Sequence, residues 1–232
     1  MNNVDITEIE KFNKIASEWW DLNGKFKALH TLNHTRLEFI KSHAKLKSNS
    51  VIDVGCGGGL LSELLAKEQA TITAIDMAED SLQVAKTHSN EAKLSINYTK
   101  ATAEEFSLDH EQSFDIVTCM EMLEHVPEPA SVIKACATML KPGGLAFFST
   151  LNRSISSFLV SIVGAEYLLN LLPKGTHDFN KYIKPSELVS LCKSNNLNLI
   201  SIKGVSYNPI ANTSRIVNNL DVNYIAVFQH NI

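Results

Sequence analysis

Residues 51–59 read Val-Ile-Asp-Val-Gly-Cys-Gly-Gly-Gly, an apolar, β-rich run that ends in closely spaced glycines. A helical segment follows at 60–68, and a second apolar run, 71–75, ends at Asp76. Glycine permits a sharp turn with positive φ and lets a ligand lie against the main chain. An acid at the tip of the second strand of a βαβ unit is placed to hydrogen-bond a ribose diol. The sequence therefore predicts a βαβ unit that binds an adenosine-bearing cofactor.

The spacing of the glycines indicates which cofactor to expect. A dinucleotide-binding loop has the pattern G-x-G-x-x-G, which rests a pyrophosphate on the helix N-terminus. Gly55 and Gly57 fit that pattern, but Leu60 stands at its third position, so the glycines read G-x-G-x-G and end at Gly59. With Asp53 two residues before the first glycine, the stretch resembles motif I of the class I S-adenosyl-L-methionine (AdoMet) methyltransferases, whose cofactor has no pyrophosphate. A nicotinamide site and a plain strand-to-helix turn are the alternatives.

Length and composition are those of one globular domain. The 232 residues are 44% hydrophobic and 20% charged, which is ordinary for a chain with a substantial core. A net charge of −4 argues against sequence-independent binding of nucleic acid, which needs a basic face. The four cysteines have no C-x-x-C spacing, so neither zinc nor a disulfide framework is expected.

The sequence contains neither a targeting signal nor a candidate membrane span. Residues 1–10 are acidic, without the apolar region of a signal peptide or the Arg-rich pattern of a transit peptide. The longest apolar stretch, 158–172, is too short for a span and contains Gly164, Glu166 and Asn170. We therefore expect a cytoplasmic protein.

Strand-like and helical runs alternate along the first two thirds of the chain. We predict strands at 51–54, 71–75, 95–99, 115–119 and 144–150, and helices at 6–19, 30–44, 60–68, 79–91 and 129–139. This alternation is typical of an α/β fold with a mostly parallel sheet and helices on both faces.

After residue 150 the pattern changes. We predict a dense apolar helix at 154–172, a helix within 183–194, and strands at 197–203 and 222–228. The two late strands resemble the hairpin that ends the class I methyltransferase sheet. We thus expect a Rossmann-like, seven-stranded sheet with one antiparallel strand and a helical lid insertion. The single domain is predicted to comprise an N-terminal helical cap (1–45), an AdoMet-binding core (46–150), the lid (151–182) and a C-terminal helix and hairpin (183–232).

A second group of chemically active residues follows the fourth predicted strand. Residues 120–127 read Met-Glu-Met-Leu-Glu-His-Val-Pro, at the end of the sheet where ligands of open α/β folds bind. If this segment is helical, Glu121, Glu124 and His125 share one face. Two carboxylates and an imidazole can hold a divalent metal or supply a general base. A solvated helix end is the alternative.

Further stretches of the sequence narrow the resemblance from the methyltransferase superfamily to one family. They read Cys-Met-Glu-Met-Leu-Glu-His-Val-Pro at 119–127, Ser-Thr-Leu-Asn-Arg at 149–153, Pro-Lys-Gly-Thr-His-Asp at 173–178, Asp-Val-Asn-Tyr at 221–224, Trp-Trp-Asp-Leu at 19–22, Phe-Lys at 26–27 and Leu-His at 29–30. In this combination the chain resembles the ubiquinone biosynthesis O-methyltransferases, from about residue 8 to residue 226. Motif I alone would indicate only the superfamily.

The resemblance implies an enzyme that methylates a ring hydroxyl twice in ubiquinone biosynthesis. The acceptors would be a 2-polyprenyl-6-hydroxyphenol, which is a catechol, and 3-demethylubiquinol. The implied cofactor contacts are Arg36, Gly55, Asp76 and Met120, together with the adjoining Asp53, Gly57, Gly59 and Met77. Arg36 would meet the methionine carboxylate, a pairing suited to a guanidinium fork. Glu121, Glu124 and His125 match the acidic metal site proposed for the family, with Mg²⁺ as the cation.

Methyl transfer to a ring hydroxyl requires the phenol to lose its proton. A phenol titrates near pH 10, so roughly three pH units must be recovered by a base or a metal. One route is a cation held by Glu121 and Glu124 and chelated by both catechol oxygens. The other is a base, with His125 or Glu121 as candidates and His177 as a second histidine. A loop-capping role for His177 is the alternative.

The isoprenoid tail of such an acceptor needs an apolar receptor, for which residues 154–172 are the candidate. We expect this segment to be a lid that touches the bilayer, with Arg153 and Lys174 as flanking cations, and thus a protein peripheral to the inner face of the cell membrane. A quinone-synthesis complex is an expected partner, and nucleic acid is not. The alternatives are a methyltransferase of another small hydroxylated substrate and a non-catalytic AdoMet-binding subunit of such a complex.

Overall fold

The computed structural model describes residues 3–157 and 179–231, in which helices and strands alternate. The helices are α1 (Ile6–Lys14), α2 (Lys27–His43), α3 (Leu60–Lys67), α4 (Glu79–Glu91), α5 (Ala103–Ser107), α6 (Pro129–Met139), α7 (Ile155–Ser157) and α8 (Pro185–Ser194). The strands are β1 (Ser50–Val54), β2 (Thr71–Asp76), β3 (Ile96–Lys100), β4 (Phe114–Met120), β5 (Leu140–Leu151), β6 (Leu197–Asn208), β7 (Thr213–Val217) and β8 (Asn223–His230). Short 3₁₀ turns lie at Ala16–Glu18, Leu123–His125 and Phe179–Lys181.

The strands form one sheet with the order β3-β2-β1-β4-β5-β8-β6-β7. Neighbouring strands among β1 to β5 pair in parallel, which requires a crossover connection between them. Strand β8 is antiparallel to both β5 and β6. The predicted α/β, Rossmann-like fold is confirmed, and the strand order reverses between β1 and β4, which is where ligands of open α/β sheets bind.

The sheet has one strand more than the seven expected, because β7 adds an edge. Strand β7 pairs antiparallel with β6 from Gly204↔Val217 to Asn208↔Thr213. It also packs on α2, where Thr35 and Ser214 share a short hydroxyl hydrogen bond. The segment between the two late predicted strands, 204–221, is polar and was predicted as a loop. Pairing with β6 and packing on α2 make residues 213–217 a strand.

Strand β1 is buried on both faces and lies between two apolar layers. Ile52 and Val54 pack in a cluster with residues of α6 and α8, whereas Val51 packs with residues of α2, α3 and α4. A continuous apolar run is the expected pattern of a central parallel strand. The two layers fix the carboxyl end of β1, from which the glycine loop begins.

The predicted helix at 6–19 is shorter than expected, because α1 ends at Lys14 and a 3₁₀ turn follows. Asp5 caps α1, since its Oδ1 accepts from the amides of Thr7 and Glu8. After the turn, the Trp19 ring stacks on Phe26 at 3.8 Å between ring centroids. Helix α2 then begins at residue 27, three residues earlier than predicted.

Most of the predicted lid, 158–178, lies outside the described residues, as does its predicted helix beyond Ile155–Ser157. Among the residues that are described, no helix is both long and apolar enough to cross a membrane. The four-part division of the chain remains a prediction, although the described parts share one continuous sheet.

Candidate active site

One large cavity lies at the carboxyl ends of β1, β2 and β4. Its volume is about 1360 Å³. It is lined by the glycine loop and by residues of α1, α2, β6 and the segment after β4. The predicted site residues in its lining are Arg36, Asp53, Gly55, Gly57, Asp76, Met77, Met120, Glu121, Glu124 and His125. The structure therefore brings these residues together from positions far apart in the chain.

The glycine loop turns back across the end of β2. Its first two amides, those of Gly55 and Cys56, donate to the carbonyl oxygen of Ile75 at 2.9 and 3.1 Å. Gly57 has a φ of +53°, and a Cβ there would lie 2.5 Å from the ring of Trp19. Gly59, with a φ of +81°, would place a Cβ 2.4 Å from the hydroxyl of Tyr98. Both positive φ and close packing therefore require glycine at these two positions.

Asp76 connects the end of β2 to the glycine loop. Its Oδ2 accepts from the amide of Gly57 and its Oδ1 from the amide of Ala78, both at 2.8 Å. Burial raises the pKa of its carboxyl, although these backbone hydrogen bonds oppose that rise. Each carboxylate oxygen has two lone pairs, so the side chain retains capacity to accept from a ligand's hydroxyls.

Asp53 is a buried structural acid within β1. Its two oxygens accept from the hydroxyls of Ser62 at 2.6 Å and Thr118 at 2.7 Å. Burial raises its pKa to about 6, against the opposing effect of these two donors. The side chain thus ties β1 to α3 and β4 directly beneath the glycine loop.

Arg36 projects from α2 and is only 2% exposed. Its Nη1 donates to Asn33 Oδ1 at 2.9 Å, and its Nη2 lies 2.9 Å from Glu121 Oε1. The contact to Glu121 is an ion pair by distance, but its angle falls outside hydrogen-bond geometry. The Nε atom has no hydrogen-bond partner among the described residues. Arg36 is therefore a buried cation beside the cavity, and its Nε donor is available to a ligand.

Glu121 follows β4 with a φ of +52°, an uncommon backbone conformation for a non-glycine residue. Besides its ion pair with Arg36, the Glu121 side chain accepts a short hydrogen bond from the Ser149 hydroxyl and one of 2.9 Å from Asn223 Nδ2. Its amide donates to the carbonyl oxygen of Ser149 at 2.8 Å. These contacts fix the Glu121 carboxylate between β5, β8 and α2.

Glu124 lies in the 3₁₀ turn Leu123–His125 and is 3% exposed. Its Oε2 accepts from the Thr150 hydroxyl at 2.7 Å, whereas Oε1 has no partner among the described residues. Burial, and then the negative charge of Glu121, raise the pKa of Glu124 to about 7. The Glu124 carboxyl, which lies beside the cavity, therefore titrates near neutral pH.

His125 is held by the N-terminal helix. Its Nδ1 lies 2.8 Å from Glu8 Oε2 on α1, and the Phe12 ring meets the imidazole edge-on at 5.3 Å between centroids. Burial lowers the pKa of His125, but the carboxylates of Glu8, Glu124 and Glu121 outweigh it and the net shift is upward. The same hydrogen bond lowers the pKa of Glu8 to about 2.

The predicted common helical face of Glu121, Glu124 and His125 is wrong. Glu121 lies before the 3₁₀ turn with a left-handed backbone, so the three side chains have different partners. Across residues 3–157 and 179–231, no three or more His, Cys, Asp or Glu side chains are grouped so that they could hold a metal ion. The chemistry of the donors still suits a hard cation, because Glu124 Oε1 is buried, unpartnered and close to a second carboxylate. The metal ligand set therefore stays a prediction.

Two further residues bear on the candidate site. His177 lies outside the described residues. Thr102 lines the cavity and caps α5, since its hydroxyl accepts from the amide of Glu105 at 3.1 Å. Sequence reasoning missed Glu8, Ser149 and Asn223 as site residues. Asn223 lies in one of the stretches that carry the family resemblance, whereas Glu8 reads as an ordinary surface acid of an amphipathic helix.

Known proteins resemble this chain in sequence and in fold. A family model described as a methyltransferase domain matches residues 26–202. The ubiquinone biosynthesis O-methyltransferase of Colwellia psychrerythraea is 52% identical over 96% of this chain and 95% of its own length. That of Burkholderia thailandensis is 47% identical over 100% of both. Among solved structures, magnesium protoporphyrin IX methyltransferase from Synechocystis PCC 6803 with bound SAM has a TM-score of 0.69 at 15% identity, over 99% of each chain.

The fold and the loop–acid site define a methyltransferase of the Rossmann-like class, whose cofactor is S-adenosyl-L-methionine. The sequence relatives then narrow the class. The chain belongs to the family of ubiquinone biosynthesis O-methyltransferases.

Proposed function

We propose that this protein transfers the methyl group of AdoMet to a ring hydroxyl of polyprenylated catechols and quinols in ubiquinone biosynthesis. The acceptors we assign are a 2-polyprenyl-6-hydroxyphenol and 3-demethylubiquinol. The observation that carries the proposal is that the glycine loop with Asp76 and the group Glu121, Glu124 and His125 line one cavity. At about 1360 Å³ the cavity exceeds the roughly 300–1000 Å³ of common ligand pockets, so a cofactor and an acceptor can share it.

The cofactor is proposed to lie along the carboxyl ends of β1 and β2. Asp76 would accept from the ribose hydroxyls, and the loop Gly55–Gly57–Gly59 would allow the methionine moiety to approach the main chain. Arg36 would bind the methionine carboxylate, which its unpartnered Nε supports. Asp53 supports the loop from below, and the cavity-lining Met77 and Met120 offer apolar contacts to the adenosine.

The proposed reaction is an in-line displacement at the methyl carbon. The bond from the sulfonium sulfur to the methyl breaks, the bond from the aryl oxygen to the methyl forms, and S-adenosylhomocysteine leaves. The phenol proton goes to a base, for which His125 is our first candidate because it lines the cavity and its Nε2 has no hydrogen-bond partner among the described residues. Positioning of the two reacting atoms supplies most of the remaining acceleration. Glu121 is the other candidate base, and His177 remains one outside the described residues.

A divalent cation such as Mg²⁺ would supply Lewis-acid lowering of the phenol pKa when bound. Glu124 and Glu121 are the side chains that would hold it, with His125 as a further donor. Because the described residues contain no group of three such side chains placed to hold a metal ion, the catechol oxygens would be needed as further ligands.

The setting of the reaction is a finer proposal. The acceptors carry isoprenoid tails, and residues 154–172 contain a dense set of apolar side chains flanked by Arg153 and Lys174. We assign this segment to contact with the membrane surface, on an otherwise cytoplasmic protein that works with other enzymes of quinone synthesis. Variants with aspartate at Leu159, Val163 and Leu171 should sediment less with anionic liposomes. Unchanged sedimentation would count against the assignment.

The test of the activity uses radiolabelled AdoMet with a prenyl catechol and a short-tailed demethylubiquinol, each with Mg²⁺ or EDTA. Transfer to both acceptors supports the proposal, and Mg²⁺ dependence supports the cation. Transfer that survives EDTA assigns the proton to a protein base. His125→Asn and His177→Asn then distinguish the two histidines, since only the variant that lacks the base should lose most of its methyl-transfer rate. Cofactor binding without transfer would favour a non-catalytic subunit or another hydroxylated acceptor.

A further inference from the structure

We propose that Glu8 is a positioning residue of the active site, which holds the His125 imidazole with Nδ1 protonated and so presents Nε2 as the proton acceptor. This inference rests on the proposed function for the role of His125, but the contact itself does not. Glu8 belongs to α1, 117 residues away from His125 in the chain.

The geometry of the pair fixes one tautomer. Glu8 Oε2 lies 2.8 Å from His125 Nδ1, and the Glu8 side chain is also paired with Lys11 at 2.7 Å. A carboxylate can only accept, so the neutral imidazole must donate from Nδ1. Its Nε2 then carries the lone pair. A general base needs such a nitrogen, and the group that bonds the other ring nitrogen selects it.

A second residue of the same helix fixes the plane of the ring. Phe12 lies one helical turn after Glu8, so both side chains share a face of α1. The Phe12 ring meets the imidazole at 84° and 5.3 Å between centroids. Helix α1 therefore supplies both the hydrogen bond and the wall that orient His125.

The docking of α1 makes this arrangement stable. Asn3, just before the helix, donates to Glu104 Oε1 at 2.7 Å and to the Glu128 carbonyl oxygen at 2.9 Å. Asp5 pairs with Lys181 at 3.1 Å. Because Glu8, Phe12 and His125 all line the cavity, α1 forms part of the site rather than an accessory cap.

The test compares Glu8→Gln with Glu10→Gln, an exposed acid on the same helix. Glutamine keeps the shape of Glu8 but can also donate, so it no longer imposes one tautomer. We expect kcat to fall about 10–100-fold in Glu8→Gln, with KM for both substrates within twofold of the parent, and no change in Glu10→Gln. In a His125→Asn background, Glu8→Gln should have no further effect, because its contribution acts through the imidazole.

A readout without turnover separates this inference from the proposed function. Ring ¹⁵N shifts of His125, assigned by their loss in His125→Asn, should report the Nδ1–H tautomer in the parent and a mixture in Glu8→Gln. If the parent transfers methyl to neither acceptor, this tautomer change still supports the positioning role and the proposed acceptors fail. Unchanged ring shifts, or additive rate losses in the double variant, would overturn the role of Glu8.

Discussion

The guanidinium of Arg36 lies 2.9 Å from the carboxylate of Glu121, and the Arg36 side chain is only 2% exposed. The pair joins the residue assigned to the cofactor carboxylate with a residue assigned to the acceptor side of the cavity. Glu121 balances a cation that would otherwise be buried alone, and removal of one partner of such a pair is costly. The two halves of the site are thus coupled electrostatically.

Glu121→Gln should destabilise the protein because it removes the charge opposite Arg36. We expect a loss of about 3 kcal/mol in the free energy of unfolding, at the low end for a buried pair because Glu121 is partly exposed. Urea unfolding without ligand measures it. Glu38→Gln, which removes an exposed acid from α2, is the matched control and should change stability by no more than about 0.5 kcal/mol. Equal losses in the two variants would contradict the coupling.

Arg36→Met should weaken AdoMet binding specifically through the methionine carboxylate. A charge-assisted hydrogen bond contributes roughly 1.5–3 kcal/mol, so the Kd for AdoMet should rise about 10–100-fold. Calorimetry with 5′-methylthioadenosine, which lacks that carboxylate, is the internal control and should give an unchanged Kd. A parallel loss for both ligands would show that Arg36 acts on the shape of the pocket and not on the carboxylate.

Gly58→Ala should disturb the glycine loop through Trp19. A Cβ at Gly58 would lie 2.2 Å from Trp19 Cγ, whereas one at Gly143 would have no neighbour within 4 Å despite a φ of +78°. Overpacking costs about 1–3 kcal/mol, so Gly58→Ala should be less stable and should bind AdoMet more weakly. Gly143→Ala should lose only about 1–2 kcal/mol, from backbone strain, with an unchanged Kd. Urea unfolding of the two variants measures the change in stability, and calorimetry measures the change in the Kd for AdoMet.

The stability of the protein should fall as the pH rises from about 4.5 to 7. Glu124 has its pKa raised from 4.5 to about 7 by burial and by Glu121, so the native state holds a proton that the unfolded chain has lost in this window. Its contribution is present below pH 4.5 and is lost by the time the pH passes 7. Glu124→Gln should flatten this decline by up to about 3 kcal/mol, measured by urea unfolding in EDTA.

Asp53 and Asp76, whose pKa values burial also raises, give a fall in stability of the same sign in this window, and His125 does so above pH 6.5. The difference in stability between the parent and Glu124→Gln at each pH removes these shared contributions. If Glu124→Gln leaves the pH profile of stability unchanged, Glu124 titrates normally and the described burial does not raise its pKa.

The parts of the fold that were predicted correctly depend on short stretches of chain. The strand-to-glycine junction at 51–59 and the acid at residue 76 form one βαβ unit as predicted, and hydrogen bonds from the loop amides to Ile75 and Asp76 join them. The segment after β4 was placed at the cavity, but its helical face was not, because the left-handed backbone of Glu121 depends on its contacts with β5 and β8.

The sequence alone determined the α/β class, the cofactor loop and the family, because turn chemistry and strand patterning act within a few tens of residues. Only the tertiary structure decided that β7 is a strand, that Arg36 meets Glu121, and that Glu8 holds His125. The last two are contacts between segments far apart in the chain, and β7, which pairs with the neighbouring β6, also packs on the distant helix α2. The packing of α1 and α2 on the sheet brings those side chains together, and no local pattern in the sequence encodes which buried charge will find which partner.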